Sequence, residues 1–197
     1  MKVAILQYNA GNVQSVRFAL ERLGVSPIVT YDQQTLISAD KIIFPGVGEA
    51  STAMQFLKEK QLDKLIPTLK QPFLGICLGM QLMCKFSEEG KTTCLGIFEE
   101  TVRLFDNSQN LACKVPHIGW NNLQKLKSPL FKGLSENCEV YFVHSYYVPL
   151  NSYTIAQTDY LVPFSAALHK KNFFATQFHP EKSATVGEKI LQNFLEL

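Results

Sequence analysis

The sequence predicts an α/β fold with helices on both faces of a mostly parallel central sheet and an additional antiparallel, strand-rich second half. Three observations predict it. Short apolar runs alternate with amphipathic stretches in the first half, these runs are apolar at successive positions, and strand-like segments dominate from about residue 99 onward. Continuous apolar strands are typical of parallel sheets buried on both faces. Because no repeat or clear linker interrupts the 197 residues, we expect a single domain spanning 1–197.

The elements of the first half follow in order from these patterns. Apolar runs predict strands at residues 3–6, 28–31, 41–44 and 73–76. A turn at 11–12 and stripes of apolar residues at helical spacing predict helices at about 13–23, 49–58 and 62–69, and another helix is expected to begin at Cys77. Ligands on parallel sheets bind at the carboxyl ends of the strands, where Cys77 and the loop at 46–48 both fall.

The second half is predicted to be mostly β-structure. Strand-like segments occur at residues 101–105, 139–148, 153–158, 165–169 and 173–178. The segments 166–169 and 173–177 are separated by a short polar stretch and are expected to form a hairpin. An amphipathic helix at about 185–195 ends the chain.

The composition excludes several classes of function. The net charge of +2 gives no reason to expect binding to nucleic acid or to an anionic membrane. Five cysteines without a C-x-x-C pair favour neither a disulfide framework nor a zinc site, so no metal and no cofactor are expected. The first apolar run is too short for a signal peptide, and no apolar segment approaches the length needed to span a membrane, so the expected location is cytoplasmic.

Cys77 is the first candidate for a catalytic residue. Gly75 and Gly79 flank it in a G-x-C-x-G pattern, the form of the nucleophile elbow of serine hydrolases. A thiol on such a turn lies beside the backbone N–H groups of a helix start, which favours the reactive thiolate. The alternative is a buried structural cysteine, which is the commoner role for this residue type.

His179 and Glu181 strengthen the catalytic interpretation. They lie two residues apart after a strand-like segment, and residues i and i+2 of an extended chain point to the same side. Together with Cys77 they would supply a nucleophile, a general base and a carboxylate that orients the base.

Several segments in order along nearly the whole chain carry a resemblance to a known family. They are PGVG at 45–48, GICLGMQ at 75–81, SEEG at 87–90, VPHIGWN at 115–121, YFVHSY at 141–146, FHPEK at 178–182 and NAGN at 9–12. This combination resembles the class I glutamine amidotransferases, and within them the glutaminase subunits of imidazole glycerol phosphate synthases. PGVG differs from the Gly-Gly-Glu-Ser-Thr motif of the pyridoxal phosphate glutaminases. Residues 8–10, however, depart from the Asp-Tyr-Gly form of many members.

The resemblance implies a flavodoxin-like, class I glutamine amidotransferase fold and hydrolysis of glutamine to glutamate and ammonia through a thioester on Cys77. His179 would act as the base and Glu181 would orient it. The backbone of Val47, Gly48 and Leu78 would form the oxyanion hole. The glutamine would be bound by the pocket residues, which by resemblance are Gly46, Gln81, Glu89, Ser145 and Tyr146.

The resemblance also implies a partner chain. Ammonia in neutral water is mostly protonated, and no sugar-phosphate site is recognised in this sequence, so the acceptor must lie elsewhere. In the family the partner is a (β/α)8-barrel cyclase that makes imidazole glycerol phosphate and aminoimidazole carboxamide ribotide in histidine biosynthesis, as one half of a heterodimer. Trp120 and Tyr141 would then anchor the interface, and Asn12 and Lys182 would lie near the ammonia exit.

Other interpretations stay open from the sequence. The chain could be a stand-alone cysteine hydrolase, an inactive interaction subunit, or a glutaminase that feeds a different acceptor synthase. Gln81 could be a solvent-exposed helical residue, SEEG a solvated turn, Trp120 a core residue and Tyr141 an ordinary sheet residue.

Overall fold

The computed structural model describes residues 1–8, 12–110 and 112–197. Residue 11 of the predicted turn, and residues 9–11 of the NAGN segment, lie outside the described residues. The α-helices are α1 Val13–Arg22, α2 Gln33–Ile37, α3 Ala50–Glu59, α4 Leu62–Leu65, α5 Leu78–Leu82 and α6 Ala184–Glu196. The strands are β1 Val3–Leu6, β2 Ile28–Thr30, β3 Lys41–Gly46, β4 Phe73–Cys77, β5 Cys84–Ser87, β6 Thr92–Thr93, β7 Phe98–Leu104, β8 His117–Asn122, β9 Glu139–His144, β10 Tyr146–Tyr147, β11 Thr154–Asp159, β12 Pro163–Lys170 and β13 Phe173–Thr176.

A seven-stranded sheet forms the centre of the fold, in the order β11-β12-β13-β4-β3-β1-β2. The strands from β13 to β2 pair in parallel, whereas β11 and β12 pair antiparallel with their neighbours. Alternate residues of the same strand belong to different core clusters, with Ala4 and Leu6 on one face and Val3 and Ile5 on the other. The predicted fold class is therefore confirmed, with both faces of the sheet covered.

The remaining strands form smaller sheets beside the central one. A four-stranded sheet has the order β10-β7-β5-β6, and β8 and β9 form a separate two-stranded antiparallel ribbon. The hairpin predicted at 166–177 is confirmed by the antiparallel pairing of β12 with β13. None of the described helices is long and apolar enough to cross a membrane.

Several elements differ from the sequence prediction. The short helix α2 was not predicted; its start is capped by the Asp32 side chain, which accepts from the N–H of Thr35. The ribbon strand β8 was not predicted because its alternation contains polar residues and glycine rather than a continuous apolar run. The predicted strand 139–148 divides into β9 and β10. The predicted helix 62–69 changes to a 3₁₀ turn at Ile66–Thr68, where Pro67 cannot donate a helical hydrogen bond.

The strand order brings distant parts of the sequence together at the carboxyl ends of the central strands. Gly46 at the end of β3 pairs with Cys77 at the end of β4. The strand on the other side of β4 is β13, which leads directly into the segment 177–181. The ribbon reaches the same place, because the carbonyl of Tyr141 on β9 accepts from the N–H of His179 at 2.9 Å. The carboxyl ends of the strands therefore meet where the sequence predicts the site.

Candidate active site

Cys77 occupies a sharp strand-to-helix turn. It is the last residue of β4 and directly precedes α5, with φ 54° and ψ −110°. Positive φ is unfavourable for a residue with a side chain, and such strain, of order 1–3 kcal/mol, persists where the surrounding structure imposes it and is concentrated at functional sites. The N–H of Leu78 belongs to the first turn of α5, so it has no acceptor within the helix. The predicted strand-to-helix turn at Cys77 is confirmed.

Two glycines allow the elbow to pack closely against the neighbouring strand. A Cβ atom added to Gly79 would lie 1.9 Å from the carbonyl oxygen of Phe44 on β3. A Cβ atom on Gly75 would lie 2.5 Å from the sulfur of Met83 and 3.0 Å from the backbone of Gly79. The glycines of the G-x-C-x-G pattern are therefore required by the packing of α5 on the sheet.

His179 and Glu181 form a buried pair. Nδ1 of His179 lies 2.7 Å from Oε1 of Glu181, and both side chains are inaccessible to solvent. Glu181 lies in a 3₁₀ turn, Pro180–Lys182, and not in an extended segment as the spacing suggested. The two side chains meet because this turn folds back on the histidine. The amide of Asn12 also donates to Oε1 of Glu181, and its nitrogen is 3.3 Å from Nδ1 of His179.

The environment of His179 favours its charged form. Burial lowers the pKa of this imidazole, but the nearby Cys77 thiolate and the hydrogen-bonded Glu181 carboxylate outweigh burial and raise the pKa above its ordinary value. Nε2 of His179 is buried and makes no well-aligned hydrogen bond within the described part of the chain, although Cys77 is near enough to act on its pKa. Such contacts are often loose in a free enzyme and tighten when substrate binds. The arrangement suits proton transfer between the thiol and the imidazole.

A cavity of about 200 Å³ opens beside Cys77. It is lined by Val47, Gly48, Cys77, Leu78, Gln81, Glu89, Pro116, Val143, His144, Ser145 and Tyr146. Most of the residues predicted for the oxyanion hole and for substrate binding therefore surround one pocket. Gly46 does not line it: this residue is buried, and a Cβ atom added there would lie 2.0 Å from the hydroxyl oxygen of Tyr8.

Gln81 and Glu89 enter the pocket with defined partners. Gln81 is only 4% exposed, so its interpretation as a surface residue is wrong. Its amide nitrogen donates to the carbonyl of Tyr146 and to the side chain of Gln177, both at 3.0 Å. One oxygen of Glu89 accepts from the N–H of Ala50 at 2.8 Å. Burial raises the pKa of Glu89 despite that hydrogen bond, and a cationic ligand would favour its charged form.

The loop after β3 contributes Val47 and Gly48 to the lining of the pocket. Gly48 is exposed with φ +104°, a conformation in which glycine is favoured. Apart from its two chain neighbours, no described residue has an atom within 4 Å of where the Cβ of Gly48 would be. The backbone there has the conformational freedom and the space to change the direction of a peptide N–H.

A pair of buried histidines next to the pocket was not assigned from the sequence. Nδ1 of His117 is 3.0 Å from Nε2 of His144, and Nδ1 of His144 is 2.7 Å from the carbonyl oxygen of Tyr146. Because a carbonyl oxygen can only accept, Nδ1 of His144 carries a proton, and His117 must donate to the remaining nitrogen of His144. Burial lowers the pKa of His117 to about 4 and that of His144 to about 3. Both imidazoles are therefore neutral at pH 7.

This pair makes stability depend on pH in a defined window. The unfolded pKa of histidine is about 6.5, above both folded values, so the unfolded state binds more protons below that pH. We expect the free energy of unfolding to fall as pH decreases from about 6.5 to 5, by about 1 kcal/mol per pH unit for each histidine. His179 has a raised pKa and therefore affects stability at higher pH. Its contribution to the free energy of unfolding is complete below about pH 6.5 and is lost as pH rises above that value. Urea unfolding at pH 5–7 measures the slope.

The control for this prediction separates the pair from other groups. His117→Gln should reduce the slope of the free energy of unfolding against pH below 6.5 by the amount that corresponds to about one bound proton. If His117→Gln left the slope unchanged, the buried pair would not be its source.

The predicted partner-facing residues lie either beside the His179–Glu181 pair or on the β8–β9 ribbon that contacts it. Trp120 is 51% exposed and packs edge-on against Tyr141 with ring centroids 6.0 Å apart, so its interpretation as a core residue is wrong. Ile118 is 60% exposed on the same face of the ribbon. Lys182 is exposed next to the His179–Glu181 pair. Asn12 contacts His179 and Glu181 directly, which the sequence pattern did not indicate.

Comparisons with known proteins agree with this geometry. The profile of the family described as glutamine amidotransferase class-I matches residues 4–197. Similar proteins described as imidazole glycerol phosphate synthase subunit HisH include one from Bacteroides fragilis, 61% identical over 197 residues and 100% of both chains. Another, from Vibrio parahaemolyticus, is 46% identical over 203 residues, 100% of this chain and 98% of its own.

Solved structures support the fold. A structure described as a glutamine amidotransferase superposes with a TM-score of 0.76 at 20% identity, covering 100% of this chain and 98% of that one. PurLQS from Thermotoga maritima gives a TM-score of 0.69 at 16% identity, covering 99% and 97%. At this level of identity the likeness concerns the fold alone.

Proposed function

Because the chain belongs to the class I glutamine amidotransferases, and among them to the HisH subunits of imidazole glycerol phosphate synthase, we propose that Cys77, His179 and Glu181 are its glutaminase triad. The protein is the glutaminase subunit of that enzyme and acts in histidine biosynthesis with a cyclase partner. The observation that carries the residue assignment is the strained Cys77 turn, which opens on the pocket beside the buried His179–Glu181 pair. We place the protein in the cytoplasm and treat residues 1–197 as one glutaminase domain.

The first chemical step forms a thioester. His179 takes the proton of the Cys77 thiol, and the sulfur attacks the side-chain amide carbon of glutamine. Glu181 stabilises the resulting imidazolium through its 2.7 Å contact with Nδ1. The imidazolium then protonates the leaving nitrogen, and ammonia departs. Water attacks the thioester with His179 as base, which releases glutamate and restores the thiol.

The developing oxyanion requires positioned N–H donors. The N–H of Leu78 is available at the start of α5. The second donor would come from Val47 or Gly48, which line the pocket on a loop with conformational freedom. Loss of one such donor typically costs about 10²–10³-fold in kcat. A loop that turns one peptide on partner binding would therefore switch the reaction on.

The pocket has the groups that a glutamine requires. Glu89 has one carboxylate oxygen used by the N–H of Ala50, and the other would receive the ligand's ammonium group. Gln81 is fixed through its nitrogen by Tyr146 and Gln177, which leaves its oxygen to accept from the ligand. Ser145 would contact the ligand from the other wall.

The cyclase would dock on the exposed face of the β8–β9 ribbon. This face presents Ile118 and Trp120 to solvent beside Tyr141. Exposed aromatic residues commonly supply much of the energy of an interface. The carbonyl of Tyr141 accepts from the backbone N–H of His179. The N–H of Tyr141 donates to Oγ of Ser183, and that hydroxyl donates to the carbonyl of His179. A cyclase bound to the ribbon would therefore be connected through backbone hydrogen bonds to the segment that carries His179 and Glu181. Asn12 and Lys182 would flank the path of the ammonia.

The test is glutamate release with and without the cyclase. We expect the chain alone to be slow, and the cyclase with its phosphoribulosyl substrate to raise kcat about 100-fold, the value of one oxyanion donor. Trp120→Ala should weaken the complex about 30-fold in Kd, as expected for an interface residue worth about 2 kcal/mol.

Tyr31 provides the matched control for the tryptophan. It is 48% exposed, follows the edge strand β2 and packs on Phe56, away from the ribbon. Tyr31→Ala should leave both the affinity and the activation unchanged. Full glutaminase activity without any partner would contradict the proposal and favour a stand-alone hydrolase.

A further inference from the structure

Gln177 is a fully buried polar residue beside the nucleophile that the mechanism above does not use. It follows β13, and its backbone N–H donates to the carbonyl of Ala166 at 2.8 Å. Its side-chain nitrogen lies 3.7 Å from the sulfur of Cys77, and its side-chain oxygen lies 3.0 Å from the amide nitrogen of Gln81. We propose that Gln177 is a catalytic residue that donates its amide N–H to the Cys77 thiolate.

The direction of this hydrogen bond follows from a backbone carbonyl. The carbonyl oxygen of Tyr146 can only accept, so the end of the Gln81 amide that faces it is the nitrogen. That same nitrogen contacts one end of the Gln177 amide, which must therefore be the oxygen. The other end of Gln177 is then the nitrogen, and it faces the sulfur of Cys77. The amide cannot be reversed without placing two donors against each other.

The two protonation states of Cys77 have different partners. The thiol can donate to the carbonyl of Val143, 3.8 Å from the sulfur. After the S–H bond breaks and the proton passes to Nε2 of His179, the negative sulfur requires donors, and Gln177 supplies one. Hydrogen bonds to a charged group in a buried site are stronger than those between neutral groups. The contact therefore favours the reactive form of the nucleophile.

Gln177 also connects the nucleophile to the pocket. The side chain that faces Cys77 also fixes the amide of Gln81. One residue therefore donates a hydrogen bond to the thiolate and orients a group that lines the glutamine pocket. A purely structural role would consist of the Gln81 contact alone. The two roles separate experimentally, because only the contact with the sulfur affects the reactivity of Cys77 in the absence of glutamine.

Other titratable groups also face Cys77 and must stay constant in the test. His179, paired with Glu181, has its pKa raised by the thiolate after the opposing effect of burial. The Tyr8 hydroxyl is buried, and burial and then the charge of Cys77 raise its pKa, so it stays neutral. Both side chains are present in the parent protein and in every Gln177 variant, so the profiles are compared with the same titratable neighbours.

The experiment measures alkylation of Cys77 by iodoacetamide against pH in the full chain, with the modified peptide quantified by mass spectrometry. Gln177→Met removes the donor and keeps an unbranched side chain, and Gln177→Glu places an acceptor against the sulfur. We expect Cys77 to react about tenfold or more slowly at pH 7 in both variants, with the midpoint of its pH profile raised by about one unit or more. Half-buried Cys138 in the same samples should react at an unchanged rate.

Two controls keep the result unambiguous. Gln157 is a buried glutamine on β11 whose amide faces Gln124, so Gln157→Glu should leave the Cys77 profile unchanged. Thermal melting identifies any variant that has not folded, and at least one of the two Gln177 variants should retain the parent transition. If a folded Gln177→Met kept the parent alkylation profile and only raised the KM for glutamine, Gln177 would serve Gln81 alone and the inference would be overturned.

The inference rests on the proposed function, but its failure is distinguishable from failure of that function. Alkylation requires neither glutamine nor the cyclase. A profile that depends on Gln177, in a protein whose complex with the cyclase shows no glutaminase activity, would overturn the proposed triad chemistry and keep the contact. Normal glutaminase activity of the complex, with an alkylation profile that does not change in the Gln177 variants, would keep the triad and overturn the role of Gln177.

Discussion

Cys77→Ala should abolish glutamine-dependent synthesis, with glutamate release reduced by at least about 1,000-fold. The reason is that Cys77 is the thiol near enough to His179 to raise its pKa, and removal of the nucleophile from a triad typically leaves only the residual contribution of binding and the oxyanion hole. Glutamate release by the complex with the cyclase measures the loss.

The matched measurement supplies ammonium salts in place of glutamine. Cyclase activity with ammonium should survive Cys77→Ala, because the acceptor chemistry belongs to the partner. Cys84, the first residue of β5 and fully buried, provides a control: Cys84→Ala should keep the glutaminase reaction. Glutamine-dependent synthesis by the Cys77→Ala complex would mean that another group is the nucleophile.

Gly79→Ala should destabilise the protein by about 3 kcal/mol or more, or prevent folding. The added Cβ would lie 1.9 Å from the carbonyl oxygen of Phe44, which belongs to the backbone of the central strand β3 and cannot rotate away. The helix α5 would have to move from the sheet, and overpacking of this kind costs about 1–3 kcal/mol even where side chains can adjust. Urea unfolding measures the change.

A second glycine separates this steric effect from the conformational one. Gly24 has φ +78°, and among the described residues only its two chain neighbours could have atoms within 4 Å of its Cβ position. Gly24→Ala should therefore cost only the strain of the left-handed conformation, about 1–2 kcal/mol. Equal losses at the two positions would show that contact with Phe44 is not what excludes a side chain at Gly79.

The local features of the site could be predicted from the sequence. The apolar run before Cys77 and the flanking glycines indicate a strand-to-helix turn, and the structure places that turn as expected. The pairing of His179 with Glu181 was predicted from spacing, but the backbone there is a 3₁₀ turn. The pairing was correct for a different geometric reason, because a proline at 180 favours the turn over an extended chain.

The contacts between distant segments could not be predicted in the same way. Asn12 reaches Glu181 across 169 residues, and His117 reaches His144 from an adjacent strand of a ribbon whose first strand carries a weak pattern. Hydrophobic periodicity reports which face of an element is buried, and it does not report which polar side chains meet across that face.

The sequence by itself determined the class of fold, the strand-to-helix turn at Cys77, and the candidate nucleophile and members of the pocket, because these depend on local patterns and on motifs read in order. Only the tertiary structure decided that Gly46 stays out of the pocket, that Trp120 is exposed, and that Gln177 faces the sulfur of Cys77. The physical reason is that strand order sets which chain ends become neighbours. Each buried polar group must then meet a partner with the matching donor or acceptor. In this site the carbonyl of Tyr146, which can only accept, fixes the orientation of Gln81 and of His144.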